Sequence, residues 1–401
     1  MRILHTADWH FGRTLEGRSR LEEQAAFVDE LVHIVEDQQI DLILLAGDIY
    51  DSVNPPAAAE QLFFDAMARL SANGGRPIAV IAGNHDQPER LAASSPLVAR
   101  AGISIVGLPT SDVMRFDIAR TGERAVVAGL PYPSEARLAE LLTDADADES
   151  GIRSAYSARV GRLLRQQAQH FAPDTINVAM SHIYVLGGVE SDSERPIQVG
   201  GAYTVDTAAL NIGAQYTALG HLHRPQRVKG EGMIRYSGSP LAYSFSEAGQ
   251  AKSVTVFDIA PGQIVQPEEI FLTSGRPVVR WQAQGGVEEV FRWLEEGRDP
   301  QAWIDLEIRM TEAMTMEQIQ ILRKAHDGIV HIRPIYPEME QADVLMTNKS
   351  EMPIDELFRR FYQRQTGGAE PDASLVRLFM ELLEGTESDA AQPVANGGES
   401  A

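Results

Sequence analysis

Asp41-Leu-Ile-Leu-Leu-Ala-Gly-Asp48 is the stretch that decides the fold. Its apolar run is too short to span a membrane and stops on Gly-Asp. An unbroken Leu/Ile run of this length reads as a strand covered on both faces, because a strand with one wet face alternates polar and apolar residues. Ile78-Ala-Val-Ile-Ala-Gly-Asn-His-Asp86 repeats the arrangement. Working outward, the pattern predicts strands at Arg2–Thr6, Leu42–Ala46, Ile78–Ala82, Ile103–Val106, Ala125–Ala128, Asn177–Met180 and Tyr216–Leu219. Helices are expected at Ser19–Asp37, Pro56–Asn73 and Ala155–His170. Pro55-Pro56 is a good helix start and Asn73-Gly74-Gly75 a good stop. Alternating strands and helices imply an α/β sandwich.

After about Ser274 the texture changes. Val278–Ala283, Ala302–Met310 and Ile329–Ile335 read as strands, with Val287–Glu296 and Met316–Ala325 as helices between them. That β-α-β-α-β unit has the look of a small separate domain. Pro353–Tyr362 and Ala373–Glu384 read as two further helices, split by Gly367-Gly368. From Gly385 on, a Ser/Gly/Ala/Asp-rich tail lacks the apolar content to fold.

The chain has 401 residues and a formal net charge of −22. Such a balance excludes binding of nucleic acid by bulk positive charge, which needs basic patches to neutralise phosphates. Nucleic acid held by metal ions and a local patch stays open. Cysteine is absent, so there is no disulfide framework. No apolar run of membrane length occurs, and Met1-Arg-Ile-Leu-His-Thr-Ala-Asp8 turns polar too early for a signal peptide. The expected location is cytoplasmic.

Five blocks carry the chemistry: Asp8-Trp9-His10, Gly47-Asp48-Ile49-Tyr50-Asp51, Gly83-Asn84-His85-Asp86, Ser181-His182 and Gly220-His221-Leu222-His223. Each follows a predicted strand, and ligands of open α/β sheets gather at the carboxyl ends of strands. Residues two apart in extended chain point the same way, so Asp8/His10 and His221/His223 can each face one centre. The candidate ligands are Asp8, His10, Asp48, Asn84, His182, His221 and His223. This mixture of imidazoles, carboxylates and one amide suits two divalent first-row ions of borderline softness, Mn²⁺, Fe²⁺ or Zn²⁺, with Mn²⁺ the expected one. Two such ions would clamp a phosphodiester. Asp48 is the natural carboxylate to bridge them, and His85 is left for acid–base work on the leaving oxygen. Asp86 is expected to orient His85, and Asp51 to support the site. A lone His such as His33 or His170 reads as a surface or packing residue, and His5, inside the first strand, as structural.

In this order the blocks resemble the calcineurin-like metallophosphoesterases, whose pattern is D-x-H, G-D, G-N-H-D/E, a lone His, then G-H-x-H. The resemblance implies a four-layer α/β/β/α sandwich with two metals. One would take Asp8, His10, Asp48 and His223; the other Asp48, Asn84, His182 and His221; His85 would be catalytic. His5-Thr-Ala-Asp-Trp-His-Phe-Gly12 and Arg235-Tyr-Ser-Gly-Ser-Pro-Leu-Ala-Tyr-Ser-Phe-Ser-Glu247 further resemble the bacterial nucleases that work with an SbcC-type coiled-coil ATPase. That implies a nuclease domain over 1–274, a capping, DNA-recognising domain over 275–340, ATPase-binding helices over 341–384 and a disordered tail over 385–401. It also implies a homodimer within a heterotetramer, built through helices at Pro56–Asn73 and Gln87–Ala101, where Leu62, Phe63, Leu70 and Leu97 form an exposed apolar stripe or else ordinary core. Relatives outside bacteria carry a second functional histidine where this chain has Asp51, so that role is not carried over.

The reading is a metal-dependent DNA nuclease, a double-strand 3′–5′ exonuclease and a single-strand or hairpin endonuclease of DNA repair, recombination and replication. Arg13, Arg18, Arg20 and Arg90 are the candidate DNA contacts at the metal rim, since the arginine fork binds phosphate bidentately. The alternatives are a phosphodiesterase on small nucleotides, for which the capping unit is superfluous, and a non-catalytic DNA-end tether, for which an intact ligand set is superfluous.

Overall fold

The computed structural model describes residues 1–138, 149–194 and 203–336, and beyond them 355, 358–359, 362, 371–372 and 375–380. Two six-stranded sheets carry the first part. In one, Arg2–Thr6, Leu42–Ala46, Ile78–Ile81 and Ile103–Val106 are parallel neighbours in that order. Ser253–Asp258 pairs antiparallel with Arg2–Thr6, and Glu268–Phe271 closes that edge. In the other, Ile176–His182 lies between Glu123–Leu130 and Tyr216–Gly220, parallel to both. Met233–Tyr236 adds parallel to Tyr216–Gly220, and Met114–Ile118 and Gln226–Val228 form antiparallel edges.

Alternate residues of each strand enter different cores, as the two-residue repeat of a strand requires. Leu4, Ile43, Leu45 and Val80 pack with Phe27, Leu31, Phe63 and Met67 of the helices Leu21–Asp37 and Ala57–Leu70. Ile3, Leu42, Leu44 and Ile81 point the other way, onto Val127, Val178, Met180 and Ala218 between the sheets. Leu130, Leu219 and Tyr236 then pack against Tyr156, Val160 and Leu164 of the helix Glu149–Ala168. The layers are therefore helix, sheet, sheet, helix, as expected. The apolar runs are continuous because both faces of these strands are covered. Each fully buried Leu or Ile contributes about 1.5–3 kcal/mol.

The strands Val278–Ala283, Trp303–Arg309 and Ile329–Ile335 form a three-stranded sheet with Trp303–Arg309 in the middle. Val287–Glu295 and Met316–Ala325 are its helices. The chain divides into two compact units, Met1–Ile308 with Thr315–Arg333, and Arg309–Met314 with Pro334–Ala401. Within the second, Phe358 stacks on Phe379 with ring centres 4.1 Å apart. Most of the helices expected at Pro353–Tyr362 and Ala373–Glu384, and all of 385–401, lie outside the described residues.

One expectation needs correction, and one open alternative is decided. Gln87–Ala101 is not one helix but the short pieces Pro88–Ala92, Ser95–Val98 and the turn Ala99–Ala101. Pro96 supplies no amide to continue a helix. Phe63 and Leu70 belong to the core and Leu62 packs against it, so they make no exposed stripe. The exposed apolar residues of this region are Phe64 and Leu97.

Candidate metal centre

The seven candidate ligands converge on the carboxyl ends of the central strands. Asp8 and His10 follow Arg2–Thr6, Asp48 follows Leu42–Ala46, and Asn84 follows Ile78–Ile81. His182 ends its own strand, and pairing of Gly220 with His182 sets His221 and His223 just beyond it. The turns are strained. Asp8, His10 and Asp48 sit at φ 55°, 47° and 49°, and His221 at φ 104°. Such conformations cost of order 1–3 kcal/mol each and persist only where the surroundings enforce them, commonly at functional sites. The glycines before the ligands allow backbones to touch. A Cβ on Gly83 would lie 2.1 Å from Asp48 Oδ1, and one on Gly220 1.9 Å from the Ala46 carbonyl.

Ligand atoms of Asp8, His10 and His223 cluster together, as do those of Asp8, Asp48 and His182. His10 Nε2 and His223 Nε2 are 3.0 Å apart. Asn84 Oδ1 lies 2.9 Å from His182 Nε2 and 3.2 Å from His221 Nδ1. Asp48 Oδ2 stands between the groups, 3.3 Å from His182 Nε2 and 3.6 Å from His10 Nε2. A third cluster, His10 with Asp51 and His85, lies alongside.

The chemistry of this set fits cations. Asp8, His10, His182 and His223 are buried, and Asp8 Oδ2 is buried with no hydrogen-bond partner among the described residues. An uncompensated buried carboxylate is costly, and a cation removes that cost. Burial pushes the Asp8 carboxyl well above the ordinary range and pushes His10 and His223 well below theirs. It also lowers His221 to about 3. These three imidazoles are thus neutral, the form that ligates metal. His182 is opposite: burial disfavours its charge, but Asp48 outweighs burial and lifts it to about 9. A cation beside Asp48 would replace that proton.

Surrounding groups fix the donors. The Ala46 carbonyl accepts from His182 Nδ1 at 2.9 Å, leaving Nε2 to face inward. Ser193 Oγ is 2.6 Å from His223 Nδ1, and Glu194 accepts from the His223 amide. Gln24 donates to the His10 carbonyl and accepts from the Gly12 amide. His85 donates its amide to Asp48 Oδ1, and its Nδ1 bonds the Asp51 carbonyl at 2.6 Å. Asp86, contrary to expectation, does not orient the His85 ring. Its carboxylate accepts instead from the amides of Ile49, Tyr50 and Gly83, tying two ligand loops together.

Of the four arginines expected at the rim, Arg20 is withdrawn. It is 1% exposed and bonded to Glu23 and the Ala242 carbonyl. Arg13 reaches the Ser193 carbonyl and lies 5.1 Å from the Tyr243 ring centre. Arg18 is exposed on the hairpin Thr14–Leu15/Arg18–Ser19. Arg90 is 2.9 Å from Glu60.

Sequence reasoning missed Ser193, Glu194, Gln24 and Arg137. None stands beside a ligand in the chain, so spacing carried no signal for them. Arg137 donates to the carbonyls of Gly83 and Asp86 and lies over the Tyr132 ring, clamping the loop that carries Asn84 and His85. Arg137→Ala is expected to lower phosphodiester turnover about 10–100-fold, the usual cost of losing support behind a metal site. Manganese titration followed by single-turnover assay checks it; wild-type metal affinity and turnover together would contradict it.

The fold and the ligand cluster together define a class. A family model described as calcineurin-like phosphoesterase matches residues 1–225, more than half the chain. A second, described as type 5 capsule protein repressor C-terminal domain, matches 274–366. A relative from Bacillus subtilis (strain 168), named as the D component of nuclease SbcCD, is 52% identical over 393 residues, covering 98% of this chain and all of the relative. One of the same name from Rhodobacter capsulatus is 38% identical over 299 residues, covering 71% of this chain and 72% of the relative. The chain belongs to the calcineurin-like phosphoesterases and, within them, to the family of these two SbcCD nuclease components. Among the described residues no helix is long and apolar enough to cross a membrane.

Proposed function

We propose that this chain is the nuclease component of an SbcCD-type complex, a cytoplasmic two-metal phosphodiesterase acting on double-stranded DNA ends and hairpins. The observation that carries the reading is the pair of buried ligand clusters that share Asp8, with Asp48 Oδ2 3.3 Å from His182 Nε2 in one and 3.6 Å from His10 Nε2 in the other, and with His85 beside them but bonded through Nδ1 to a backbone carbonyl. One cation is assigned to Asp8, His10, Asp48 and His223, the other to Asp48, Asn84, His182 and His221, and Mn²⁺ suits that donor set. Bound divalent cations neutralise phosphodiester charge and make water nucleophilic near neutral pH. The chain supplies the rest. Asp51 holds the His85 ring so that Nε2 remains for the proton needed by the departing sugar oxygen.

A polymer needs more surface than a small ester. A groove of about 500 Å³ runs between Glu16, Asp192 and Phe245 on one side and Arg280, Arg323, His331 and Arg333 of the three-stranded unit on the other. Asp305 organises the second side: it bonds Arg333 and stands 3.7 Å from both Arg280 and His331. With Arg20 withdrawn, DNA backbone contact is assigned to Arg13, Arg18 and Arg90 together with Arg280, Arg323 and Arg333. An SbcC-type ATPase would bind the C-terminal part, with two copies of this chain in the complex.

Linear duplex, a DNA hairpin and a cyclic nucleotide, each incubated with Mn²⁺ or Mg²⁺, decide the matter. The expected result is Mn²⁺-dependent shortening of duplex and opening of the hairpin. Selective turnover of the cyclic nucleotide would favour a small-nucleotide phosphodiesterase. Ligation by the folded state alone also predicts that Mn²⁺ at a hundred times its Kd adds about 2.7 kcal/mol of stability, seen as a rise in Tm that a chelator reverses.

A further inference from the structure

One helical turn, Arg20 to Gln24, bonds in two directions. Glu23 is buried, and its carboxylate gathers donors from distant parts of the chain. Oε1 accepts from the Trp303 indole Nε1 at 3.0 Å, and Oε2 from the Arg276 amide at 2.7 Å. The Arg20 guanidinium holds both oxygens. Trp303 opens the middle strand of the three-stranded unit, and Arg276 precedes its first strand. The Arg276 guanidinium lies 4.0 Å from the Trp303 ring centre, and Leu15, Phe245 and Val278 pack with Trp303 to complete the joint. Further along the same helix Glu30 accepts from Thr273 and Ser274, so the connecting segment is bonded to the helix at two places. The very next residue after Glu23 faces the other way. Gln24 bridges the His10 carbonyl and the Gly12 amide, the turn that carries candidate ligands Asp8 and His10.

We propose that Glu23 is a positioning residue for polymeric substrate: through Trp303 and Arg276 it sets the three-stranded unit in register with the metal-ligand turn held by its neighbour Gln24. The inference rests on the nuclease reading above. A carboxylate with four convergent donors in a buried site is stiff, because each bond lost leaves a desolvated group unpaired. Residues adjacent on one helix cannot shift independently, so the groove beside Arg280 and Arg333 keeps its distance from the cage. A small phosphodiester needs only the cage and is indifferent to that register.

The test compares the full chain with two variants of the joint and with a third, at Gln24, as the contrast. Trp303→Phe removes the indole donor and keeps an aromatic ring; Arg20→Met combined with Glu23→Leu removes the two buried charges together and leaves the Trp303 indole and the Arg276 amide without their acceptor. Three quantities are measured: metal-free affinity for a linear duplex, Mn²⁺-dependent cleavage of that duplex, and Mn²⁺-dependent hydrolysis of bis(p-nitrophenyl) phosphate. Both variants are expected to weaken duplex affinity and raise the duplex KM by about tenfold, as for a lost bond to a charged group, with hydrolysis of the small ester unchanged. Gln24→Ala, which frees the ligand turn itself, is expected to slow both substrates. Unchanged duplex affinity in both variants, or equal losses on duplex and small ester, overturns the proposal. If the wild-type chain hydrolyses the small ester and leaves duplex intact, the nuclease reading fails, and the proposal with it.

Discussion

His85→Ala is expected to reduce DNA cleavage by about 10²–10⁴-fold, the range spanned by loss of a positioned acid or base, while the protein still folds and binds its metals. The residue's backbone is what the cage uses: the amide donates to Asp48 Oδ1 at 2.9 Å, and alanine keeps that bond. Among the described residues the ring is bonded through Nδ1 alone, to the Asp51 carbonyl, which leaves Nε2 for substrate. The ring also packs edge-on to His10 at 4.8 Å, and it shares a cluster with His10 and Asp51. That proximity gives the experiment a second outcome to read. Metal analysis and a Tm measurement accompany the single-turnover assay. Wild-type turnover would remove His85 from the chemistry. Loss of bound manganese along with turnover would make it a ligand.

The centre of the sandwich was legible in the sequence because strands covered on both faces must be apolar throughout, and Leu42–Ala46 and Ile78–Ile81 are. The edges were not. Glu268–Phe271 reads Glu-Glu-Ile-Phe and Gln226–Val228 reads Gln-Arg-Val, short and polar as solvent-facing edge strands are, and neither stands out from a loop. The candidate ligands were legible because each follows a strand and carries a metal-binding side chain. Their supports were not, because Gln24, Arg137 and Ser193 act through contacts made only when distant segments meet. Arg20 shows the opposite limit. Near the first block in sequence, it resembles Arg13 and Arg18, yet it is folded inward onto Glu23. Only the burial of Trp303 against the same carboxylate explains why. The strong negative charge has a local answer as well: two of the groove arginines, Arg280 and Arg333, gather at a buried aspartate, Asp305, so basic side chains are concentrated without a basic protein.

Asp48→Asn should show whether the two clusters share one carboxylate. Asp48 Oδ2 lies 3.3 Å from His182 Nε2 and 3.6 Å from His10 Nε2, so a single oxygen addresses both groups. Asparagine can keep the bond from the His85 amide, since it retains one carbonyl oxygen, and it tolerates the left-handed φ of 49° at this position better than most residues. What it removes is the negative charge that would offset the repulsion between two neighbouring cations. Both ions are therefore expected to be lost, not one. Cleavage should fall about 10³-fold or more, since metal ions supply several kcal/mol of charge stabilisation in the transition state. The Mn²⁺-dependent rise in Tm should vanish with them. Asn84→Ala is the contrasting case: among the described residues the Asn84 side-chain oxygen lies against His182 and His221, both assigned to the second cation, so one ion should remain. Metal counting on the two variants separates the possibilities. An Asp48→Asn protein that still carries one tightly bound ion would mean that Asp48 serves a single site, and that the second cation is held by Asp8, whose Oδ2 is buried with no hydrogen-bond partner among the described residues.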